Sequence, residues 1–196
     1  KGECAEYYAG QPVLNPTPDK ITMRGMARTF QNIRLWKTQT VFDNVLIAMH
    51  GHSTANVFSA IFRGNAAEEA AQRMKVEKIL ETVGLLDVKD ELATSLPYGK
   101  QRRLEIARAL ATDPKLLLLD EPAAGMNPAE TTALMETIRK IRDTYHIAIL
   151  LIEHDMKLVM GICEGIAVLN YGKIIAKGTP QEVINNPEVI KSYLGE

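Results

Sequence analysis

The stretch Lys115-Leu116-Leu117-Leu118-Leu119-Asp120-Glu121-Pro122 decides the fold. Four consecutive leucines cannot alternate between core and solvent, so a strand here is predicted to be buried on both faces. Such strands lie in the middle of parallel sheets that are covered by helices. Asp120 and Glu121 then follow at the strand's carboxyl end, which is the edge where open α/β sheets bind ligands. The pattern indicates either a metal and general-base site for phosphate chemistry or a core strand that ends in a polar turn.

The composition limits the possible functions. The 196 residues are 46% hydrophobic and 24% charged with a net charge of −1, which is typical of one globular domain, with or without an inserted lobe. This charge gives no support for binding to nucleic acid. Cys4 and Cys163 match no metal or redox spacing and suit a reducing cytosol. The longest apolar runs, such as residues 147–152, are too short to span a bilayer.

The order of strand and helix patterns predicts an α/β fold. Residues 115–163 alternate strand, helix, strand, helix, which is typical of a parallel sheet flanked by helices. The helix-rich stretch 37–112 is too long for a simple crossover, so we interpret it as an inserted helical lobe. Its clearest helix spans residues 65–84, and a basic helix is predicted over residues 100–112. Residues 166–177 are predicted to form a hairpin.

Other polar segments accompany the acidic pair. Residues 96–100, Leu-Pro-Tyr-Gly-Lys, precede the basic helix, His154 follows the second apolar strand, and Gln31 lies far upstream. Each has an ordinary explanation when taken alone: a solvated loop for Gln31, a strand-end histidine for His154, and an exposed helix face for the basic residues. Together, and in this order, they resemble the ATP-binding cassette (ABC) family of transporter ATPases over nearly the whole chain.

This resemblance implies a P-loop NTPase-like sheet and a role for four residues. Gln31 matches the glutamine-loop residue, which contacts Mg²⁺ and couples the site to the membrane subunits. Asp120 matches the Walker B aspartate, which holds Mg²⁺ through water. Glu121 matches the catalytic glutamate, which polarises the attacking water, and His154 matches the switch histidine, which meets the γ-phosphate.

The resemblance also implies a surface for a second ATPase subunit. The signature motif, which caps ATP bound on the opposite subunit, is matched by Leu96, Pro97, Tyr98, Gly99 and Lys100. Its usual second-position serine, third-position glycine and final glutamine are replaced here by Pro97, Tyr98 and Lys100. We expect this to be subgroup variation in which Lys100 restores positive charge near the phosphate. Asn127 lies in the loop that contacts the second subunit.

The exact residues in and around these motifs resemble one subgroup of the family, the ATP-binding subunits of branched-chain amino acid importers. The matching segments are residues 28–36, 120–128 and 151–156 and the Tyr-Leu-Gly-Glu end. This implies ATP and Mg²⁺ as cofactors, separate permease subunits, an external substrate-binding protein, and a place on the cytoplasmic face of the cell membrane. The ATPase subunits of amide and urea importers share much of the sequence of these segments. The sequence is also compatible with a non-transport ABC protein and with a non-catalytic remnant.

The order of the family's motifs suggests that the chain has four regions and lacks one motif. The regions are 1–36, the rest of the amino-terminal β part of the core; 37–112, a helical subdomain; 113–170, the core with the Walker B strand; and 171–196, a hairpin and short helices. Leu35, Trp36 and Phe42 are expected to line a groove for a permease helix, although a core position for Trp36 is equally compatible. No G-x-x-x-x-G-K-[ST] occurs in the sequence. We therefore expect part of the core to be missing and these 196 residues alone to be inactive.

Overall fold

The computed structural model describes residues 7–8, 11–12, 17–29, 33–50 and 66–194. The first elements are short: β1 (Tyr7–Tyr8), β2 (Gln11–Pro12), α1 (Pro18–Met23) and β3 (Met26–Arg28). A helical part follows, with α2 (Val41–His50), α3 (Ala66–Thr82), two 3₁₀ turns (Leu86–Val88 and Ala93–Ser95) and α4 (Tyr98–Leu110). The remainder comprises β4 (Leu116–Asp120), α5 (Pro128–Tyr145), β5 (Ala148–Ile152), α6 (Met156–Ile162), β6 (Ile166–Asn170), β7 (Lys173–Gly178), α7 (Pro180–Ile184), α8 (Pro187–Val189) and a π turn (Ile190–Leu194). Within these ranges, no helix combines the length and apolar character needed to cross a bilayer.

A three-stranded parallel sheet in the order β3-β4-β5 carries the predicted site. Leu117 of β4 pairs with Ala27 of β3 on one side and with Ile149 of β5 on the other. Because the strands are parallel and in register, Asp120 and Ile152 lie side by side at the carboxyl edge. The predicted α/β fold with a parallel sheet is confirmed.

The sheet is covered less completely than its apolar strands predict. Leu117 and Leu119 are fully buried, but the other two leucines of β4 are only half-buried. On β5, Leu150 and Ile152 are 53% and 55% exposed. In the described part of the chain the sheet ends at β5, where a cleft of about 780 Å³ separates it from β6. The prediction of burial on both faces is therefore wrong for one face, because an apolar run does not reveal which neighbours are present to cover it.

The helical part is built around the periodic residues that the sequence indicates. Val45 of α2, Ile79 and Leu80 of α3 and Leu104 of α4 are all fully buried. Helix α2 begins after Thr40, whose hydroxyl accepts the N–H of Asp43 at 3.0 Å. The helices predicted over residues 41–49 and 65–84 are thus confirmed, apart from a difference of one or two residues at their ends.

Helix α5 starts where the loop after β4 ends. The side-chain oxygen of Asn127 accepts the N–H groups of Ala129 and Glu130, both at 3.0 Å. In return, the carboxylate of Glu130 accepts the N–H of Asn127 at 3.1 Å, which completes a capping box. This reciprocal bonding fixes the point at which the chain turns from the loop into the helix.

The predicted hairpin is confirmed by β6 and β7. Its two-residue turn, Tyr171 and Gly172, has positive φ values of 46° and 76°, as tight hairpin turns require. Ala176 of β7 packs with Val183 and Val189 in a small second core. The carboxyl-terminal elements therefore form their own packed unit beside the sheet.

Candidate active site

The carboxyl edge of the sheet brings Glu121 and His154 together. The N–H of Glu121 donates to the carbonyl of Ile152 at 2.9 Å, and Glu121 has a φ of +43°. That left-handed conformation is uncommon for a residue other than glycine and often marks functional sites. Nδ1 of His154 lies 3.6 Å from Oε1 of Glu121, with side-chain exposures of 74% and 31%. Both groups can therefore reach a ligand at this edge.

Asp120 points elsewhere, as expected for adjacent residues at a strand end. Its Oδ2 accepts a hydrogen bond from Nη2 of Arg28 at 2.7 Å. This bond is charge-assisted and short, although Arg28 itself is largely exposed. Arg28 was missed by sequence reasoning because its nearness to Asp120 depends on the pairing of β3 with β4, which puts Arg28 opposite Leu118.

Glu153 is a second residue that the sequence did not single out. Its side chain is 1% exposed, and its carboxylate accepts the N–H of Ala123 at 2.8 Å and the N–H of His154 at 3.1 Å. It therefore ties the end of β5 to the loop that follows Glu121. The available signal was a carboxylate directly before His154 at the end of an apolar strand, where a buried polar group needs a partner.

We expect Glu153→Ala to lower the free energy of unfolding by about 2 kcal/mol, because the N–H of Ala123 loses its acceptor. Urea unfolding of the purified protein measures this change. Glu153→Gln is the matched control: its carbonyl oxygen still accepts one N–H, so its loss should be smaller. Equal stability of Glu153→Ala and wild type would show that this carboxylate is not structural.

The signature residues open a helix instead of preceding one. Helix α4 begins at Tyr98, two residues before the predicted start, with Pro97 as its N-cap. The carbonyl of Pro97 accepts the N–H of Gln101 at 3.0 Å, so proline ends the preceding segment and nucleates the first turn. Leu96 is buried in the main core.

The basic residues of α4 form ion pairs and hydrogen bonds within the protein. Nζ of Lys100 lies 3.5 Å from Oδ2 of Asp87, and its placement near a phosphate of the second subunit remains a prediction. Nη1 of Arg103 donates to the carbonyl of Val83 at 3.1 Å, and burial lowers the pKa of Arg103. Arg102 is buried. The exposed-helix-face interpretation is wrong for these residues.

The first turn of α4 lies against the loop between β4 and α5. The hydroxyl of Tyr98 donates to the carbonyl of Ala124 at 3.0 Å. A Cβ at Gly99 would lie 2.9 Å from Oε1 of Glu130, so a side chain there would displace that carboxylate. Asn127 uses its side-chain oxygen to cap α5. Signature residues and the loop of Glu121 thus meet within one subunit.

The segment that follows the glutamine-loop position packs on α4. The guanidinium of Arg108 lies 3.9 Å from the ring centroid of Trp36 and donates to the carbonyl of Arg34. Burial lowers the pKa of Arg108, although Glu105 opposes this shift. Trp36 remains 39% exposed. Its neighbours in sequence, Leu35 and Lys37, line a cleft of about 320 Å³, whereas Trp36 itself and Phe42 do not; the other lining residues are Ile33, Ala93, Thr94, Tyr98 and Gln101. Gln31 itself lies outside the described residues.

The donor set at the strand end fits a magnesium ion that is shared with a phosphate ligand. In the ranges that the structure describes, no cluster of three or more His, Cys, Asp or Glu side chains forms a metal cage. Mg²⁺ in nucleotide sites is held by one or two carboxylates, with phosphate oxygens and water completing the octahedron. The partly exposed carboxylate of Asp120 suits that arrangement.

Open α/β sheets bind their ligands at the carboxyl ends of the strands, and in this protein that edge carries an acidic pair and a histidine. The model of the ABC transporter family matches residues 6–124. The chain therefore belongs to the ABC transporter family. A second model, for branched-chain amino acid ATP-binding cassette transporters, matches residues 173–196.

Individual relatives agree with this membership. The chain is 45% identical over 190 residues to the high-affinity branched-chain amino acid transport ATP-binding protein BraF of Pseudomonas aeruginosa, covering 95% of this chain and 74% of that protein. It is 48% identical over 181 residues to LivG of Escherichia coli K12, covering 90% and 70%. The ADP conformation of MJ1267, an ATP-binding cassette of an ABC transporter, superposes with a TM-score of 0.78 at 30% identity, covering 97% of this chain and 76% of that one.

Proposed function

We propose that this protein is the ATP-binding and ATP-hydrolysing subunit of an importer for branched-chain amino acids. The observation that carries the proposal is the 45–48% identity, over 90% or more of the chain, to proteins named for that transport. The match of residues 173–196 to the branched-chain amino acid transporter model supports the same cargo from the other end of the chain.

The edge of the sheet would supply the catalytic groups. Phosphoryl transfer depends mainly on positioning and on stabilisation of charge. Asp120 would hold Mg²⁺, which neutralises phosphate charge when bound, and Glu121 would orient the attacking water. His154 would donate to the γ-phosphate, which an imidazole can do in either protonation state. The 3.6 Å separation of Glu121 and His154 supports a shared task at one phosphate. A contact of Gln31 with Mg²⁺ remains a prediction.

A second ATPase subunit would complete the site. The start of α4, with Tyr98, Gly99 and Lys100, would face ATP held by that subunit. The loop that ends at Asn127 would contact the same loop of the second subunit. In this proposal residues 37–112 form a helical subdomain, residues 1–36 and 113–170 belong to the nucleotide-binding core, and residues 171–196 form a carboxyl-terminal unit. The buried side chains of α2, α3 and α4 belong to one core that also contains Leu117 and Leu119 of β4, so the division rests on the order of the motifs and not on a separate helical core.

The cleft lined by Leu35 and Lys37, the sequence neighbours of Trp36, would receive a helix of a permease subunit on the cytoplasmic face of the membrane. Tryptophan is enriched among the residues that dominate binding energy near the centres of interfaces, and Trp36 is exposed enough to take that role. Arg108 covers the ring of Trp36 from the protein side, so the tryptophan is held in place without being buried.

The proposed cargo is tested with the full-length subunit, its permease subunits and its binding protein reconstituted in liposomes. We expect leucine to stimulate ATP hydrolysis severalfold and to accumulate in the lumen, and we expect urea and acetamide to have no effect. Stimulation by urea or acetamide instead of leucine would contradict the cargo. Absence of any ATP hydrolysis would contradict the ATPase assignment itself.

A further inference from the structure

We propose that Tyr98 is a positioning residue that ties the signature helix to the catalytic loop, residues 121–127, within one subunit, and thereby aligns Glu121 for hydrolysis. The proposal rests on the function proposed above. It gives Tyr98 a task on its own subunit, in addition to any contact with ATP on the opposite subunit. The evidence is a chain of contacts that leads from α4 to Glu121.

The first contact joins Tyr98 to the middle of the catalytic loop. Its hydroxyl donates to the carbonyl of Ala124 at 3.0 Å. Its ring lies 3.7 Å from where a Cβ of Gly125 would stand, and Gly125 has a φ of +78°. The loop therefore presents a flat, side-chain-free backbone surface to the tyrosine ring. A glycine in place of Tyr98 would provide neither the hydrogen bond nor this packing.

Arg102 determines the direction of the Tyr98 hydroxyl. One turn along α4, its Nε donates to the tyrosine oxygen at 3.3 Å, and its guanidinium lies 5.6 Å from the ring centroid. Because this oxygen already accepts from a guanidinium, its own proton is left to donate to the carbonyl of Ala124. The Arg102 side chain is 4% exposed and lies 3.1 Å from Glu105, so the arginine itself is held firmly.

The loop is held on its other side by the end of β5. The N–H of Ala123 donates to Glu153 at 2.8 Å, while the N–H of Ala124 donates to the carbonyl of Glu121 at 3.2 Å. Ala123 is thus bound to the end of β5, and Ala124 is bound to α4 through Tyr98. Ala124 is also hydrogen-bonded directly to Glu121. A displacement of the amino end of α4 would be passed through Tyr98 and Ala124 to the backbone of Glu121.

This arrangement predicts an effect on turnover more than on ATP affinity. Tyr98→Phe keeps the ring and the backbone N–H groups of the signature helix, and it removes only the hydroxyl that holds Ala124. In the full-length subunit we expect kcat to fall about fivefold, the equivalent of one ordinary hydrogen bond. The KM for ATP should change less than about twofold, because uniform binding is retained.

Tyr193→Phe is the matched control. The Tyr193 hydroxyl also donates to a backbone carbonyl, that of Leu169 at 2.6 Å, and its exposure of 47% is close to the 41% of Tyr98. Steady-state ATPase kinetics give kcat and KM for both variants. Amide hydrogen exchange followed by mass spectrometry reports on the peptide that contains residues 121–127. We expect faster exchange of that peptide in Tyr98→Phe and unchanged exchange in Tyr193→Phe.

The outcomes separate this proposal from the proposed function. A wild-type kcat for Tyr98→Phe, an equal loss of kcat in Tyr193→Phe, or unchanged exchange over residues 121–127 would each overturn the positioning role. A wild-type subunit that hydrolyses no ATP would overturn the proposed function and, with it, the catalytic consequence for Tyr98. Hydrogen exchange would then still decide whether Tyr98 holds the loop.

Discussion

Glu121→Gln should abolish ATP hydrolysis in the full-length subunit while ATP-driven dimerisation persists. Glutamine keeps the size of the side chain but lacks the negative charge that polarises water and accepts its proton. Loss of a general base usually lowers turnover by about 10²–10⁴-fold. Glu121 suits this role because its left-handed backbone and its bond to Ile152 hold the carboxylate beside His154. Phosphate release measures the rate, and light scattering with Mg-ATP measures the dimer.

The control for this variant is Glu136→Gln. Glu136 is exposed on α5, outside the catalytic loop, and the substitution makes the same change in charge. It should hydrolyse ATP at the wild-type rate. Near-wild-type turnover by Glu121→Gln would contradict the general-base assignment, and Glu153, a further carboxylate at this edge, would become the next residue to test.

The sequence predicts those features of the fold that depend on local pattern. Val76, Ile79 and Leu80 recur at helical spacing, and all three are fully buried in α3. The leucines before Asp120 form the expected strand because a short apolar run between turn residues favours a strand in the middle of a sheet, although only Leu117 and Leu119 are fully buried. The side-by-side placement of the β4 and β5 ends also follows from their parallel connection.

The contacts that join these elements could not be predicted in the same way. The pairing of Arg28 with Asp120 depends on the β3–β4 register, and the bond from Tyr98 to Ala124 depends on how α4 packs beside the catalytic loop. Neither is a periodic property of a single segment. The earlier start of α4, by contrast, has a local origin, because Pro97 ends the preceding segment and fixes where the first turn begins. The open face of β5 depends on which neighbours cover it, and this too is a non-local property.

Glu105→Ala should be the most destabilising of the proposed substitutions. Glu105 and Arg102 form an ion pair at 3.1 Å with side-chain exposures of 7% and 4%. Glu105 also interacts with Arg108. Burial lowers the pKa of Arg108, and the negative charge of Glu105 opposes that shift. Removing one partner of a buried pair leaves an uncompensated charge and usually costs about 3–5 kcal/mol. For a chain of this size that corresponds to a fall in Tm of roughly 10 °C.

Glu77→Ala is the comparison for an exposed ion pair. Glu77 lies 2.6 Å from Lys89, but both side chains are substantially exposed, and such pairs contribute little because water screens them. Thermal unfolding should therefore show a much smaller change than for Glu105→Ala. A similar change in the two variants would mean that the buried position of the Arg102–Glu105 pair has no special cost.

The double variant Arg102→Met, Glu105→Leu separates stability from alignment of the catalytic loop. Replacing a buried pair by apolar residues of similar volume is often neutral or stabilising, so thermal unfolding should recover most of the loss caused by Glu105→Ala, except for the support that Glu105 gives to Arg108. The double variant nevertheless lacks the guanidinium that orients the Tyr98 hydroxyl toward Ala124. We therefore expect kcat to be low, as in Tyr98→Phe, although the fold is restored. Recovery of both kcat and Tm would show that the arginine stabilises the helix without directing Tyr98.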